Sequence, residues 1–141
     1  MKRSASVVLA LLFVSSYAFA TVGVPPDPNA ELRKIQKLNN DQAILFFTAK
    51  IKKTPKDATL YAKRGKAYAE NGNYEHALPD YDKALALDPK QPNVYVGRAI
   101  IYLQNKDYDQ CWKDVHMAES QGGQFWPSFM EALKKGSGRE K

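Results

Sequence analysis

Few side chains in this chain are suited to catalysis, and their spacing decides what they could do. The sequence holds two histidines, His76 and His116, and one cysteine, Cys111. A Cys–His nucleophile needs the imidazole in contact with the sulfur. Cys111 and His116 are not in the three- or four-residue relation that makes neighbours on a helix. The histidines lack metal-ligand spacing, and neither HExxH nor CxxC occurs. Asp80-Tyr81-Asp82 and Asp107-Tyr108-Asp109 each bring two carboxylates close together. A calcium loop also needs a turn glycine and a closing Glu. Here one pair falls inside a predicted helix and the other at a helix start, where Asp suits the dipole. The residues therefore predict no catalytic group, no metal and no cofactor. An envelope enzyme with an unrecognised site would require a polar pocket that the sequence gives no reason to expect.

The ends and the charge narrow the class further. Residues 1–20 read as an export signal: Lys2 and Arg3, the apolar run Val7–Val14, and Ala18-Phe19-Ala20 before Thr21. That run is shorter than the roughly 20 residues that span a bilayer, so no stable membrane span is expected after cleavage. The destination is then periplasmic or secreted. Cleavage lowers the formal charge of +6 by two and leaves a mildly basic chain. Its basic residues are scattered, with Lys52-Lys53 and Lys134-Lys135 as the mature Lys-Lys pairs. Nucleic-acid binding needs a clustered basic footprint, so it is not expected. Cys111 has no internal disulfide partner and reads as a small buried residue, with a redox or intermolecular role as the alternative.

Stepping the chain by about 34 residues superposes two segments. Tyr61 falls on Tyr95, Arg64 on Arg98, Gly65 on Ala99, Tyr68 on Tyr102, Ala77 on Cys111, Tyr81 on Val115 and Ala84 on Ala118. Each segment reads as two amphipathic helices. In the first, Asn71-Gly72-Asn73 breaks the pair and Asp88-Pro89 ends it. Pro79 removes one backbone donor in the second helix and predicts a local bend. Upstream, Ala43, Phe47 and Pro55 precede Ala77, Tyr81 and Pro89 by the same step. Asp41–Lys53 therefore reads as a second helix, with Glu31–Leu38 as its first. Downstream, Pro127 opens a short helix over residues 128–135 that would bury Phe129, Met130 and Leu133.

The residues Tyr61, Gly65, Tyr68, Ala77, Tyr81, Ala84 and Pro89 resemble the signature of the tetratricopeptide repeat, with Arg64 where that family usually has Leu. The second unit, with Tyr95, Ala99, Tyr102, Cys111 and Ala118, is more degenerate. The resemblance implies an all-α fold of helix-turn-helix repeats in a short right-handed α-solenoid, closed by a C-terminal cap helix. The expected organisation is a signal over 1–20, a flexible Pro-rich linker over 21–29 and a truncated repeat over 30–57. Repeats at 58–91 and 92–125, a cap helix at 126–135 and a flexible tail at 136–141 complete it.

The resemblance also implies a protein or peptide partner, held extended or helical on the concave face. Carried over, that face takes Thr59, Ala62, Lys66 and Ala69 from one helix, and Asn93, Val96, Ile100 and Leu103 from the next. The carboxylate clamp of chaperone-binding members is not matched, because Val96 and Ile100 stand where polar groups belong. Two readings remain: an open groove, or Val96, Ile100 and Leu103 covered by the cap helix. Arg64 and Arg98 read as solvent-facing heads on packed stems, with an acidic partner as the alternative. The sequence thus predicts a non-catalytic interaction module, and a self-assembling homo-oligomer is the alternative.

Overall fold

The computed structural model describes Asp27 and residues 29–140, so the signal-like residues 1–20, most of the Pro-rich segment and Lys141 lie outside it. The described residues form six helices: α1 Ala30–Lys53, α2 Ala58–Glu70, α3 Tyr74–Leu87, α4 Pro92–Gln104, α5 Tyr108–Ser120 and α6 Pro127–Ser137. Among them no helix is long and apolar enough to cross a membrane. Contacts divide the chain into Met1–Lys34 and Ile35–Lys141. In the first unit, Asp27 opens α1 by accepting the Asn29 and Ala30 N–H groups, and it pairs with Arg33.

In the second unit the helices follow the repeat. Asp57 caps α2 by accepting the Thr59 N–H at 2.9 Å, and Asn73 and Asp107 cap α3 and α5 in the same way. Pro92 and Pro127 occupy helix starts, where their missing N–H costs nothing. Pro79 is exposed and α3 runs through it. The α2–α3 and α4–α5 turns share one backbone pattern. Asn73 N–H donates to Tyr68 C=O and Asp107 N–H to Tyr102 C=O, both at 2.9 Å. Gly72 sits at φ 73° in the first turn, and Lys106 takes the equivalent place at φ 61°.

Two apolar clusters fill the interior. Ala77, Tyr81, Ala84, Leu85, Val94, Tyr95, Ile101 and Ala118 form one. Ala99, Cys111, Trp112 and Val115 form the other, closed by Phe129 and Leu133 of α6. The cap helix is thus observed, and it runs to Ser137, two residues into the expected tail. Trp112 Nε1–H donates to Ser137 Oγ at 3.1 Å, and Gly138 at φ 67° ends the helix.

Upstream, two expected helices are one. The chain passes from Glu31 to Lys53 without a break, because Asn39-Asn40 offers no Gly or Pro to stop a helix. Asn40 is instead buried, its amide donating to Asn71 Oδ1 at 3.1 Å, while Asn71 donates to Asp41 at 2.7 Å. Thus α1 supplies a second-type helix, and among the described residues no first helix precedes it.

A non-Gly residue in the left-handed region costs roughly 1–2 kcal/mol. Replacing Lys106 with Gly should therefore raise the unfolding free energy by about 1 kcal/mol in urea denaturation, since Lys106 is exposed and no side-chain packing is lost.

Candidate functional site

Two arginines hold the repeat helices in place. Arg64 on α2 makes a two-bond fork to Asp80 on α3, with Nε and Nη2 each 2.7 Å from a carboxylate oxygen. Its Nη1 donates to Thr48 Oγ1 on α1 at 3.1 Å. One repeat later, Arg98 on α4 forks to Asp114 on α5 at 2.8 and 2.7 Å, and its Nη1 donates to Asp82 on α3 at 2.6 Å. Each guanidinium therefore joins three successive helices. Aromatic rings lie close by, Tyr61 at 5.9 Å from the Arg64 guanidinium carbon, with Tyr95 and Tyr102 at 5.7 and 5.8 Å from that of Arg98.

This corrects the expectation of solvent-facing arginines. Their side chains are only 19 % and 18 % exposed, and Asp80 and Asp114 are buried with them. The hydrogen bonds that Arg64 donates to Asp80 raise its pKa against the opposing pull of burial. Burial pushes the Asp114 carboxyl up, and its bonds to Arg98 recover only part of that. Asp80, Asp82 and Asp114 thus bind arginine rather than merely decorating a helix.

Between α2 and α4 lies an open cavity of about 560 Å³. Ala62, Lys63, Lys66, Ala69 and Glu70 form one wall, and Asn93, Val94, Val96, Gly97, Ile100 and Ile101 the other. Tyr74 and Tyr81 of α3 reach it from below. The Tyr81 ring lies against glycines on both walls. A Cβ on Gly65 would sit 3.0 Å from the ring, and one on Gly97 only 2.8 Å from the hydroxyl. Burial, followed by the Glu70 carboxylate, pushes the Tyr81 phenol up to about 12, so it stays a neutral donor at physiological pH.

Six of the eight residues expected on the concave face come together here: Ala62, Lys66, Ala69, Asn93, Val96 and Ile100. Thr59 is exposed at the α2 start and Leu103 packs with the second cluster, so neither lines the cavity. The cap helix covers part of the apolar face: Ile100, Leu103 and Met130 pack on one cluster, while Val96 and Ile100 still face open space. Gly97 was missed because it breaks the repeat, standing where the first unit has Lys63. A glycine inside a helix carries a propensity cost, which signals close approach.

The structure places the cysteine and the two histidines apart. Cys111 is fully buried and its S–H donates to Ala99 C=O at 3.3 Å, whereas His116 is exposed beside Trp112. His76 lies 2.8 Å from the capping Asn73. Among the described residues no group of three His, Cys, Asp or Glu is placed to hold a metal.

Removing one partner of a buried ion pair strands the other. Arg98→Leu should lower stability by about 3–5 kcal/mol in urea denaturation, and adding Asp114→Leu should recover most of the loss. Burial pushes the Cys111 thiol up to about 12. Below that value it stays protonated in the folded protein, so iodoacetamide labelling at about pH 9 should proceed only at the rate of unfolding.

The sequence model of the family described as TPR repeat matches residues 65–106, from the middle of α2 to the α4–α5 turn. No curated protein matches the chain. Repeats of this kind generally mediate protein–protein interaction and are typically non-catalytic. The match covers Gly65, Tyr81, Gly97 and both ends of the Arg98–Asp82 bond, the residues that set the spacing of the cavity walls. Over that span the chain matches the tetratricopeptide repeat.

Proposed function

We infer that this protein is an adaptor of the periplasm or another extracytoplasmic space, which holds a segment of a partner protein between α2 and α4. The open cavity above Tyr81 carries this reading. Val96, Ile100, Ala62 and Ala69 give it an apolar lining, with Asn93 and Lys66 on the exposed rim. Such a lining accepts an apolar side chain, while the rim offers an amide and a cation to a peptide backbone or carboxylate. The signal-like residues Lys2 to Ala20 support export. Cleavage after Ala20 would leave Thr21 as the mature N-terminus, which intact-mass measurement of the exported protein tests directly.

Photo-crosslinking in the native host tests the groove. A photoreactive residue replacing the exposed Asn93 should yield a discrete adduct that identifies the partner. The same probe replacing exposed Glu119 on α5 should not. A self-adduct from Asn93 would instead identify a homo-oligomer, and no adduct from Asn93 would remove the groove as the binding site.

A further inference from the structure

Helix α1 stands in register with α3 and α5, yet among the described residues no first helix precedes it. In the two complete repeats that first helix reaches its partner through Arg64–Asp80 and Arg98–Asp114. The α1 residue one repeat before Asp80 is Phe46, an apolar residue at the place of the charged one. It is 56 % exposed, and Ile35, Leu38 and Leu45, spaced along the same side of α1, are 54 %, 57 % and 72 % exposed. These four make an apolar stripe about 16 Å long on the rise of an α-helix. A stripe of that kind is the face a helix buries against another helix.

The surrounding charge selects the partner. Lys50, Lys52 and Lys53 occupy the last turn of α1, with Lys50 Nζ 5.5 Å from the Phe46 ring centre. Among the described residues none of the three has an acidic partner, whereas Lys37 is held by Asp41. The geometry points to a binding surface on α1 for an acidic amphipathic helix of a partner protein, lying antiparallel with its acidic first turn beside Lys50–Lys53. An antiparallel helix opposes its dipole to that of α1, and acidic residues suit a first turn. A second copy of this chain fits less well. An antiparallel copy would set a single acidic first-turn residue, Glu31, against the three lysines, and Asp41 is already engaged by Lys37 and Asn71. An anionic bilayer fits less well too, because bilayer-surface helices are strongly amphipathic and α1 is weakly so over its length.

The test uses the purified chain and two designed helical peptides of about 18 residues, long enough to cover the stripe. Both carry a leucine stripe; one has a glutamate first turn and the other a lysine first turn. Fluorescence anisotropy should show binding of the acidic peptide alone. Leu45→Glu with Phe46→Glu should weaken it at least about tenfold, as expected for central apolar anchors. Lys50→Glu with Lys52→Glu should weaken it as well without touching the stripe, and unchanged circular dichroism would show that both variants fold. Hydrogen-exchange protection should fall on residues 35–53. Equal binding of the lysine peptide, binding unchanged by either variant, or protection centred on α4 would each overturn the proposal. Preferential binding to phosphatidylglycerol vesicles would replace it with a membrane surface. A concentration-dependent dimer abolished by Leu45→Glu would replace it with self-association.

Discussion

The two-bond fork between Arg98 and Asp114, repeated one unit earlier between Arg64 and Asp80, is the constraint on which the helical array depends. A leucine at the arginine position would pack and tolerate sliding. A guanidinium fork admits one alignment with a carboxylate, so slipping α4 along α5 by one turn would break both bonds and strand two buried charges. The third contact of each arginine, Arg98 to Asp82 and Arg64 to Thr48, carries the alignment to the preceding helix. Register is therefore set within each repeat and between repeats by the same side chain.

The cavity arises where the repeat stops repeating. One unit apart, Ala62 becomes Val96, Lys63 becomes Gly97 and Lys66 becomes Ile100. The α2 wall is accordingly small and basic, and the α4 wall apolar. Gly97 allows the Tyr81 hydroxyl to approach α4, while Gly65 allows the same ring to approach α2. One aromatic ring thereby sets how far apart the two walls stand. Periodic residues build the scaffold, and aperiodic ones give it a surface able to discriminate.

This division governs how much could be read from the chain. The hairpins, their caps and the buried small residues follow from local chemistry, as with Asn73, Gly72, Ala77 and Cys111. The arginines were harder, since a side chain that is amphipathic by nature fits solvent and interior equally well. The signal was nonetheless present: Asp80 and Asp114 recur with the same step as Arg64 and Arg98, and charges that co-vary in a repeat invite pairing. The break expected in α1 failed for a different reason. Asn39-Asn40 resembles a turn in composition, but without a Gly or Pro nothing forces the helix to end, and Asn40 is satisfied across the gap by Asn71. Leu103 and Thr59 occupy the correct helices for the groove but fall toward the cap and the α2 start, a distinction that only tertiary packing makes.

The two termini of the array solve the same problem unequally. At the C-terminal end, α6 seals the last repeat with Phe129 and Leu133, and the interior there is apolar. At the other end, the one buried residue of α1 is Asn40, and α1 is tied to α2 and its turn by Thr48, Asn40 and Asp41 through hydrogen bonds. A hydrogen bond exchanged for water contributes about 1 kcal/mol net, whereas burying a leucine or phenylalanine contributes about 1.5–3. Detaching the Ile35–Lys53 part of α1 therefore exposes little apolar surface and loses few strong contacts. Local opening begins most cheaply there, at low local stability, while α2 and α4, the walls of the groove, stay tied to α3 by Arg64–Asp80 and Arg98–Asp82.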